Sequence, residues 1–89
     1  ILVNTSRGKI VDEEALINAL QTGRIGGAAL DVFAVEPLPS GHSLTAMDNV
    51  VLSPHMGAMT QEAGDRLLDA VARQARDILE GRLPEYLIC

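Results

Sequence analysis

Three side chains that could bind and protonate an acidic substrate each follow an apolar stretch of the sequence: Arg7, Glu36 and His55. A guanidinium can hold a carboxylate through two parallel hydrogen bonds and lend positive charge to a neighbouring carbonyl oxygen. Histidine exchanges protons near neutral pH, and a carboxylate bonded to its other ring nitrogen orients the ring and stabilises its charged form. The three residue types together suit proton transfer on a substrate that carries a carboxylate.

Plainer explanations exist for each candidate position. An arginine at a strand end is commonly solvated or ion-paired, and a histidine after a proline is commonly a turn residue. Asp31, at the end of an apolar run, could simply cap a turn. His42 lies in a polar loop and is predicted to be exposed and without function. A metal site built from His42, His55 and Glu36 lacks compact ligand spacing, so no metal is expected.

The elements that must position these residues can be read from the apolar runs. Residues 1–3, 25–33 and 50–52 are predicted to be short buried strands. A helix over about residues 13–22 joins the first two strands, and a loop rich in proline and glycine, residues 36–43, precedes the third. A second, longer helix starts after Thr60. This alternation predicts an α/β fold, a doubly wound parallel sheet with three short strands and two main helices.

Polar residues follow each predicted strand, in the segments 4–7, 31–36 and 53–57. In open parallel sheets, ligands bind at the carboxyl ends of the strands. The sequence therefore predicts a binding site at this edge of the sheet.

Capping residues define the two predicted helices. Asp12 and Thr60 can each cap an N-terminus, and Gly23 and Gly81 each offer a left-handed stop. The apolar residues of the second helix are predicted to form its buried face: Leu67, Leu68, Val71, Ala75, Ile78 and Leu79.

Composition excludes several classes of protein. Twelve acidic and seven basic residues give a formal charge of -5, which argues against a nucleic-acid partner. Every apolar stretch is interrupted before the ~20 residues that a membrane-spanning helix requires. A single cysteine, Cys89, and the lack of a secretory signal favour a reducing, cytoplasmic location. The chain begins within a predicted buried strand, so we expect its N-terminal edge to be a cut through a larger protein.

Three motifs occur in order along the chain: NxxRGxxVDxxAL from Asn4, LDVFxxEP from Leu30 and PHxG from Pro54. Together they resemble the C-terminal part of the cofactor-binding domain in the D-isomer-specific 2-hydroxyacid dehydrogenase family, over residues 1 to about 81. The resemblance implies that residues 1–89 are the C-terminal part of a Rossmann-like NAD(P)-binding domain in a larger two-domain enzyme. It also implies NAD or NADP as cofactor, a small 2-oxo or 2-hydroxy acid as substrate, and a homodimer.

The resemblance also implies a role for each matching residue. Arg7 would orient the substrate carboxylate, His55 would be the general acid and base, and Glu36 would be the acid paired with His55. The residues expected to line the nicotinamide pocket are Thr5, Ser6, Arg7, Asp31, His55, Gly57 and Ala58.

Two alternatives remain open at this point. Corepressors similar to C-terminal-binding proteins use the same scaffold with a similar Arg, Glu and His set. An inactive truncated product would also contain these three residues.

No GxGxxG phosphate loop occurs in residues 1–89, so the isolated chain is expected to show no turnover. The substrate stays open among glyoxylate, hydroxypyruvate, 3-phosphoglycerate, lactate and similar acids. The string EPLP from Glu36 and the lack of a regulatory tail after Cys89 favour a hydroxypyruvate or glyoxylate reductase.

Overall fold

A computed structural model describes residues 1–86, which belong to two compact units: Ile1–Gly57, and a second unit that begins at Ala58. The first unit is a small sheet with one α-helix and two 3-10 turns, and the described part of the second holds one long helix. The elements in chain order are β1 (Leu2–Asn4), a 3-10 turn (Gly8–Ile10), α1 (Glu13–Gln21), β2 (Ala28–Leu30), a second 3-10 turn (Ser43–Ala46), β3 (Val50–Leu52) and α2 (Gln61–Leu79).

The three strands form one parallel sheet in the order β1-β2-β3. Leu2, Ala28 and Val50 lie side by side in the register. Helix α1 connects β1 to β2, whereas β2 and β3 are connected by the proline-containing loop and the second 3-10 turn. Because the strands are parallel, their carboxyl ends share one edge of the sheet. The predicted α/β architecture is therefore confirmed, and the polar segments do meet at one edge.

Helix α1 packs against one face of the sheet. Leu16 and Leu20 of α1 form the core with Ala28 and Leu30 of β2, and all four are buried. Side chains alternate between the two faces of a strand, so the residues between these core positions point the other way. Val51 on that opposite face is 70% exposed. Within this unit, α1 covers only one face of the sheet.

Both helices begin and end where the sequence predicts. The Asp12 side chain accepts a hydrogen bond from the Ala15 backbone N–H at 3.0 Å. Thr60 Oγ1 accepts one from the Ala63 N–H at 3.1 Å. Each cap satisfies a backbone donor that the first helical turn leaves unpaired. Gly23 and Gly81, with φ of +70° and +75°, supply the left-handed residues after the helices.

Strand β2 is shorter than the predicted run of residues 25–33. At its start, the Ile25 N–H donates to the Ala19 carbonyl of α1 instead of pairing with a strand. At its end, the N–H groups of Phe33 and Ala34 donate to side-chain carboxylates. The strand itself is limited to Ala28–Leu30. The apolar character of the flanking residues does not show where their backbone N–H groups find acceptors, so the sequence predicts too long a strand.

The predicted buried face of α2 is wrong for this chain. No residue of α2 is buried; Leu67, Leu68 and Ile78 are exposed by 63%, 71% and 61%. The described part of the second unit offers no further helix or strand against which this face could pack. No helix within residues 1–86 is long and apolar enough to cross a membrane.

Candidate active site

The loop after β1 is folded by a buried asparagine. Asn4, only 5% exposed, accepts a hydrogen bond from the Ser6 N–H through Oδ1 at 3.1 Å. Its Nδ2 donates to the Arg7 carbonyl at 3.0 Å. The carboxamide thus fixes the backbone that carries Arg7, a role that the sequence analysis missed. An asparagine closing a strand before Thr-Ser is a recognisable signal for such a turn.

Gly8 brings this loop against the loop after β2. A Cβ atom at Gly8 would lie 1.9 Å from the Phe33 carbonyl oxygen and 2.5 Å from the Ala34 nitrogen. No side chain larger than hydrogen fits between the two backbones. The glycine of the RG step therefore sets the distance between Arg7 and the segment that carries Glu36.

Asp31 anchors the loop after β3. The carboxylate is 6% exposed, and its Oδ1 accepts hydrogen bonds from Ser53 Oγ at 2.5 Å and the Met56 N–H at 2.8 Å. Oδ2 accepts from the Gly57 N–H at 2.9 Å. The Ser53 bond, followed by the two backbone bonds, lowers the pKa of Asp31 below its ordinary value, so the side chain is anionic. Asp31 is thus more than the turn cap considered above.

His55 and Glu36 form a close pair. His55 Nδ1 lies 2.6 Å from Glu36 Oε2, and Glu36 Oε1 accepts the Phe33 N–H at 2.9 Å. The bond to His55, then the bond from Phe33, and also the charge of Arg7 lower the pKa of Glu36. Because the carboxylate is ionised, Nδ1 carries the proton in this bond. Nε2 is then the ring atom that can face a substrate oxygen.

Arg7 makes no hydrogen bond or ion pair with either member of the pair. Its Nη1 donates to the Ser6 carbonyl at 2.7 Å, and the side chain is exposed. Nevertheless, Arg7, Glu36 and His55 line one cavity of about 370 Å³ together with Gly8 and Lys9. The fold thus brings the three predicted residues to the lining of one cavity.

A second cavity of about 550 Å³ lies beside the same pair. Apolar residues make up most of its lining, and Glu36 and His55 belong to it as well as to the first cavity. The apolar lining residues are Phe33, Pro37, Leu38, Leu52 and Pro54.

The other predicted pocket residues differ in how the structure uses them. Thr5 and Ser6 are exposed in the loop after β1. Gly57 is exposed, and a Cβ atom there would lie 3.0 Å from Asp31 Oδ2, so the position favours glycine. Ala58 is the first residue of the second unit and is exposed.

His42, predicted to be exposed and without function, is instead largely covered. Its side chain is 21% exposed, and Nε2 lies 3.2 Å from Glu13 Oε1. Residues 1–86 contain no cluster of three His, Cys, Asp or Glu side chains that could hold a metal ion.

Three parallel strands with a polar edge, and a His–Glu pair that lines one cavity with an arginine, are typical of an α/β domain that binds its ligand at the carboxyl ends of the strands. Comparison with known families is consistent with this class. Residues 1–57 match the model of the D-isomer specific 2-hydroxyacid dehydrogenase, NAD binding domain. The chain belongs to this family, which confirms the resemblance.

Curated relatives extend the match beyond residue 57. A glyoxylate reductase of Thermofilum pendens is 52% identical over 87 residues, covering 98% of this chain and 26% of the relative. A D-3-phosphoglycerate dehydrogenase of Synechocystis is 54% identical over 80 residues, covering 90% of this chain and 14% of the relative. The chain thus spans about a quarter or less of the length of these relatives. Neither is a corepressor, so that alternative gains no support from them.

Solved structures share the fold. A D-isomer specific 2-hydroxyacid dehydrogenase from Xanthobacter autotrophicus, in complex with NADPH, superposes with a TM-score of 0.81 at 40% identity, covering 98% of this chain and 35% of that one. An NADPH-dependent glyoxylate/hydroxypyruvate reductase from Sinorhizobium meliloti, in complex with NADP, gives 0.78 at 30% identity, covering 98% and 27%. The Rossmann-like assignment is therefore confirmed.

Proposed function

We propose that this chain is the C-terminal part of the NAD(P)-binding domain of a two-domain enzyme that transfers a hydride between NAD(P)H and a small 2-oxo acid. The observation that carries the proposal is the His55–Glu36 pair at 2.6 Å, which shares a cavity with Arg7. A guanidinium and an imidazole that line one cavity match the carboxylate and the carbonyl oxygen of such a substrate.

The exposed edge of the sheet fits the nicotinamide end of the cofactor. Thr5 and Ser6 offer hydroxyl groups there, and Gly57 presents no side chain. Asp31 would support this pocket by holding the Gly57 backbone at 2.9 Å. Bound NAD(P)H would supply the hydride.

The protein's own residues perform the remaining steps. Arg7 binds the substrate carboxylate and polarises the neighbouring carbonyl oxygen. During reduction, His55 Nε2 donates its proton to that oxygen while C2 accepts the hydride, and in oxidation His55 takes the proton back. Glu36 keeps the ring oriented and stabilises its charged form.

For the substrate we propose glyoxylate or hydroxypyruvate. The glyoxylate reductase and glyoxylate/hydroxypyruvate reductase named above support this choice. The phosphoglycerate dehydrogenase relative is the competing case, in which 3-phosphoglycerate would be the substrate. We also propose a cytoplasmic homodimer: the family resemblance supports the dimer, and the single cysteine supports a reducing compartment.

The test is to assay the full-length enzyme with NADH and NADPH against a panel of 2-oxo acids, and then to repeat it with His55→Gln. Loss of a general acid is expected to lower kcat by about 10²–10⁴-fold. Cofactor affinity, followed by nicotinamide fluorescence, should stay within about twofold.

Met56→Leu is the matched control, because its backbone N–H keeps the bond to Asp31 at 2.8 Å. This variant should retain its activity. An unchanged rate in His55→Gln would remove the proposed proton transfer, and no activity of the wild-type enzyme with any 2-oxo acid would remove the proposed function.

A further inference from the structure

One carboxylate ties together both ends of the loop that carries Glu36. Glu13, the first residue of α1, accepts the Ala34 N–H through Oε2 at 3.1 Å. Its Oε1 lies 3.2 Å from His42 Nε2. Both side chains are largely covered, at 20% and 21% exposure. The segment from Ala34 to His42 is therefore fastened at its two ends to the same side chain on the helix.

The tautomer of His42 agrees with this arrangement. Nδ1 of His42 accepts the Leu44 N–H at 3.4 Å, so Nδ1 carries no proton. The proton of the neutral ring then sits on Nε2, which donates to Glu13. Both ring nitrogens are used within the loop, and His42 becomes a structural link between the loop and α1.

Two consecutive amides connect Glu13 to the active site. The Phe33 N–H donates to Glu36 at 2.9 Å, and the next N–H, that of Ala34, donates to Glu13. Glu36 in turn holds His55 at 2.6 Å. Movement of the Phe33–Ala34 backbone would therefore be transmitted to the carboxylate that orients the catalytic ring.

We propose that Glu13 is a positioning residue for the catalytic pair: it fixes the loop backbone from which Glu36 reaches His55. The proposal rests on the function proposed above and adds a residue outside the cavity to it. A favourable interaction with the helix dipole needs only a negative charge in the first turn, and exposed Glu14 meets that need without touching the loop. The dipole alone therefore does not account for the two contacts of Glu13.

The experiment compares Glu13→Ala and Glu13→Gln with Glu14→Ala in the full-length enzyme. We expect Glu13→Ala to lower kcat for 2-oxo acid reduction by about tenfold, within the range that misplaced catalytic groups produce. KM for the acid should change by less than about twofold, because Arg7 is held separately by Asn4. The alkaline limb of the reduction profile should also move to lower pH, as the ring loses its well-placed partner.

Glu13→Gln keeps an oxygen that can accept the Ala34 N–H, so we expect it to recover most of kcat. Glu14→Ala should match the wild type. If Glu13→Ala equals Glu14→Ala in both kcat and pH profile while His55→Gln is inactive, the positioning role is wrong and the proposed function stands. If the wild type itself is inactive with 2-oxo acids, it is the proposed function that fails.

Hydrogen exchange gives a readout that does not depend on activity and serves even if Glu13→Ala does not fold. Glu13→Gln keeps an acceptor for the Ala34 N–H but loses the one for His42, so amides at the His42 end of the loop, residues 42–44, should exchange faster than in Glu14→Gln, while the Ala34 amide stays protected. Equal exchange of residues 42–44 in the two variants would show that Glu13 does not hold the loop, and would overturn the proposal.

Discussion

The carboxylate of Asp31 determines where His55 can be. His55 adopts a φ of +55°, which side chains other than glycine rarely take. The loop accepts this conformation because Asp31 binds Ser53 before the histidine and the Met56 and Gly57 N–H groups after it. The lowered pKa of Asp31 means that these bonds are made to an anion and persist in acid below its ordinary value. The strained backbone of His55, the residue that we propose to be catalytic, is thus held by bonds on both of its sides.

Glu36→Gln is predicted to shift the pH dependence of the enzyme. The lowered pKa of Glu36, caused first by its bond to His55, keeps the carboxylate charged from neutral pH down past its ordinary value of 4.5. At every pH above the lowered pKa, the alkaline range included, the negative charge of Glu36 favours the protonated ring that reduction requires. With glutamine the charge is lost, so the alkaline limb of kcat/KM for reduction should move to lower pH, and kcat should fall about tenfold.

The measurement is a pH–rate profile in the direction of 2-oxo acid reduction. Glu62→Gln, in the first turn of α2, removes the same charge from an exposed position and should leave the profile unchanged. A Glu36→Gln profile that overlays the wild-type one would show that Glu36 does not affect the protonation of the His55 ring. The contribution of Glu36 to the free energy of unfolding also depends on pH. It is fully present above the ordinary pKa of the carboxyl and is lost only as pH falls through the lowered value.

At the scale of elements, local chemistry made much of the structure predictable. Caps and stops such as Asp12 and Gly23 act within a few residues, so the sequence indicates both helices closely. Strand ends were harder, because the Ala34 N–H finds its acceptor in Glu13, 21 residues earlier in the chain. Arg7, Glu36 and His55 could be predicted because each follows a predicted strand. Glu13 could not, because its contact with Ala34 is visible only in the folded chain. A carboxylate in a first helical turn is fully explained by the helix dipole until its contacts are seen.

Gly8→Ala is predicted to separate two elements of the site. A Cβ atom there would lie 1.9 Å from the Phe33 carbonyl oxygen, which is backbone and cannot swing away. The loops after β1 and β2 must then move apart, at a cost of about 1–3 kcal/mol in unfolding free energy. The shift should also raise KM for the acid substrate, because Arg7 precedes this glycine.

Urea denaturation and steady-state kinetics of the full-length enzyme check this prediction. Gly26→Ala is the matched control, since nothing lies within 4 Å of a Cβ atom at that position. Its unfolding free energy should stay within about 0.5 kcal/mol of the wild type. Equal stability of the two variants would mean that the loops do not depend on their close approach.

At the scale of the whole molecule, apolar surface is left open on both units. In the first unit, Val3 and Val51 are 66% and 70% exposed on the face of the sheet that α1 does not cover. In the second unit, Leu67, Leu68 and Val71 of α2 are 63%, 71% and 55% exposed. A doubly wound sheet normally has helices on both faces, and a helix normally buries its apolar stripe. Each unit therefore presents a surface typical of a protein interface.

The isolated chain is accordingly predicted to associate and to be inactive. β1 and β3 are both open edges of the sheet, and unpaired edges beside apolar faces promote contacts between copies. Sedimentation velocity over a hundredfold range of concentration should show an increasing mean mass. Val3→Lys with Val51→Lys should reduce the association, whereas lysine at exposed Gln21 and Thr22 should not.

No NADH oxidation with glyoxylate or hydroxypyruvate is expected, because residues 1–89 contain no GxGxxG phosphate loop. Measurable turnover by the 89-residue chain would contradict the predicted inactivity. A monomer with a sharp, concentration-independent melt would contradict the predicted association through the open apolar surfaces.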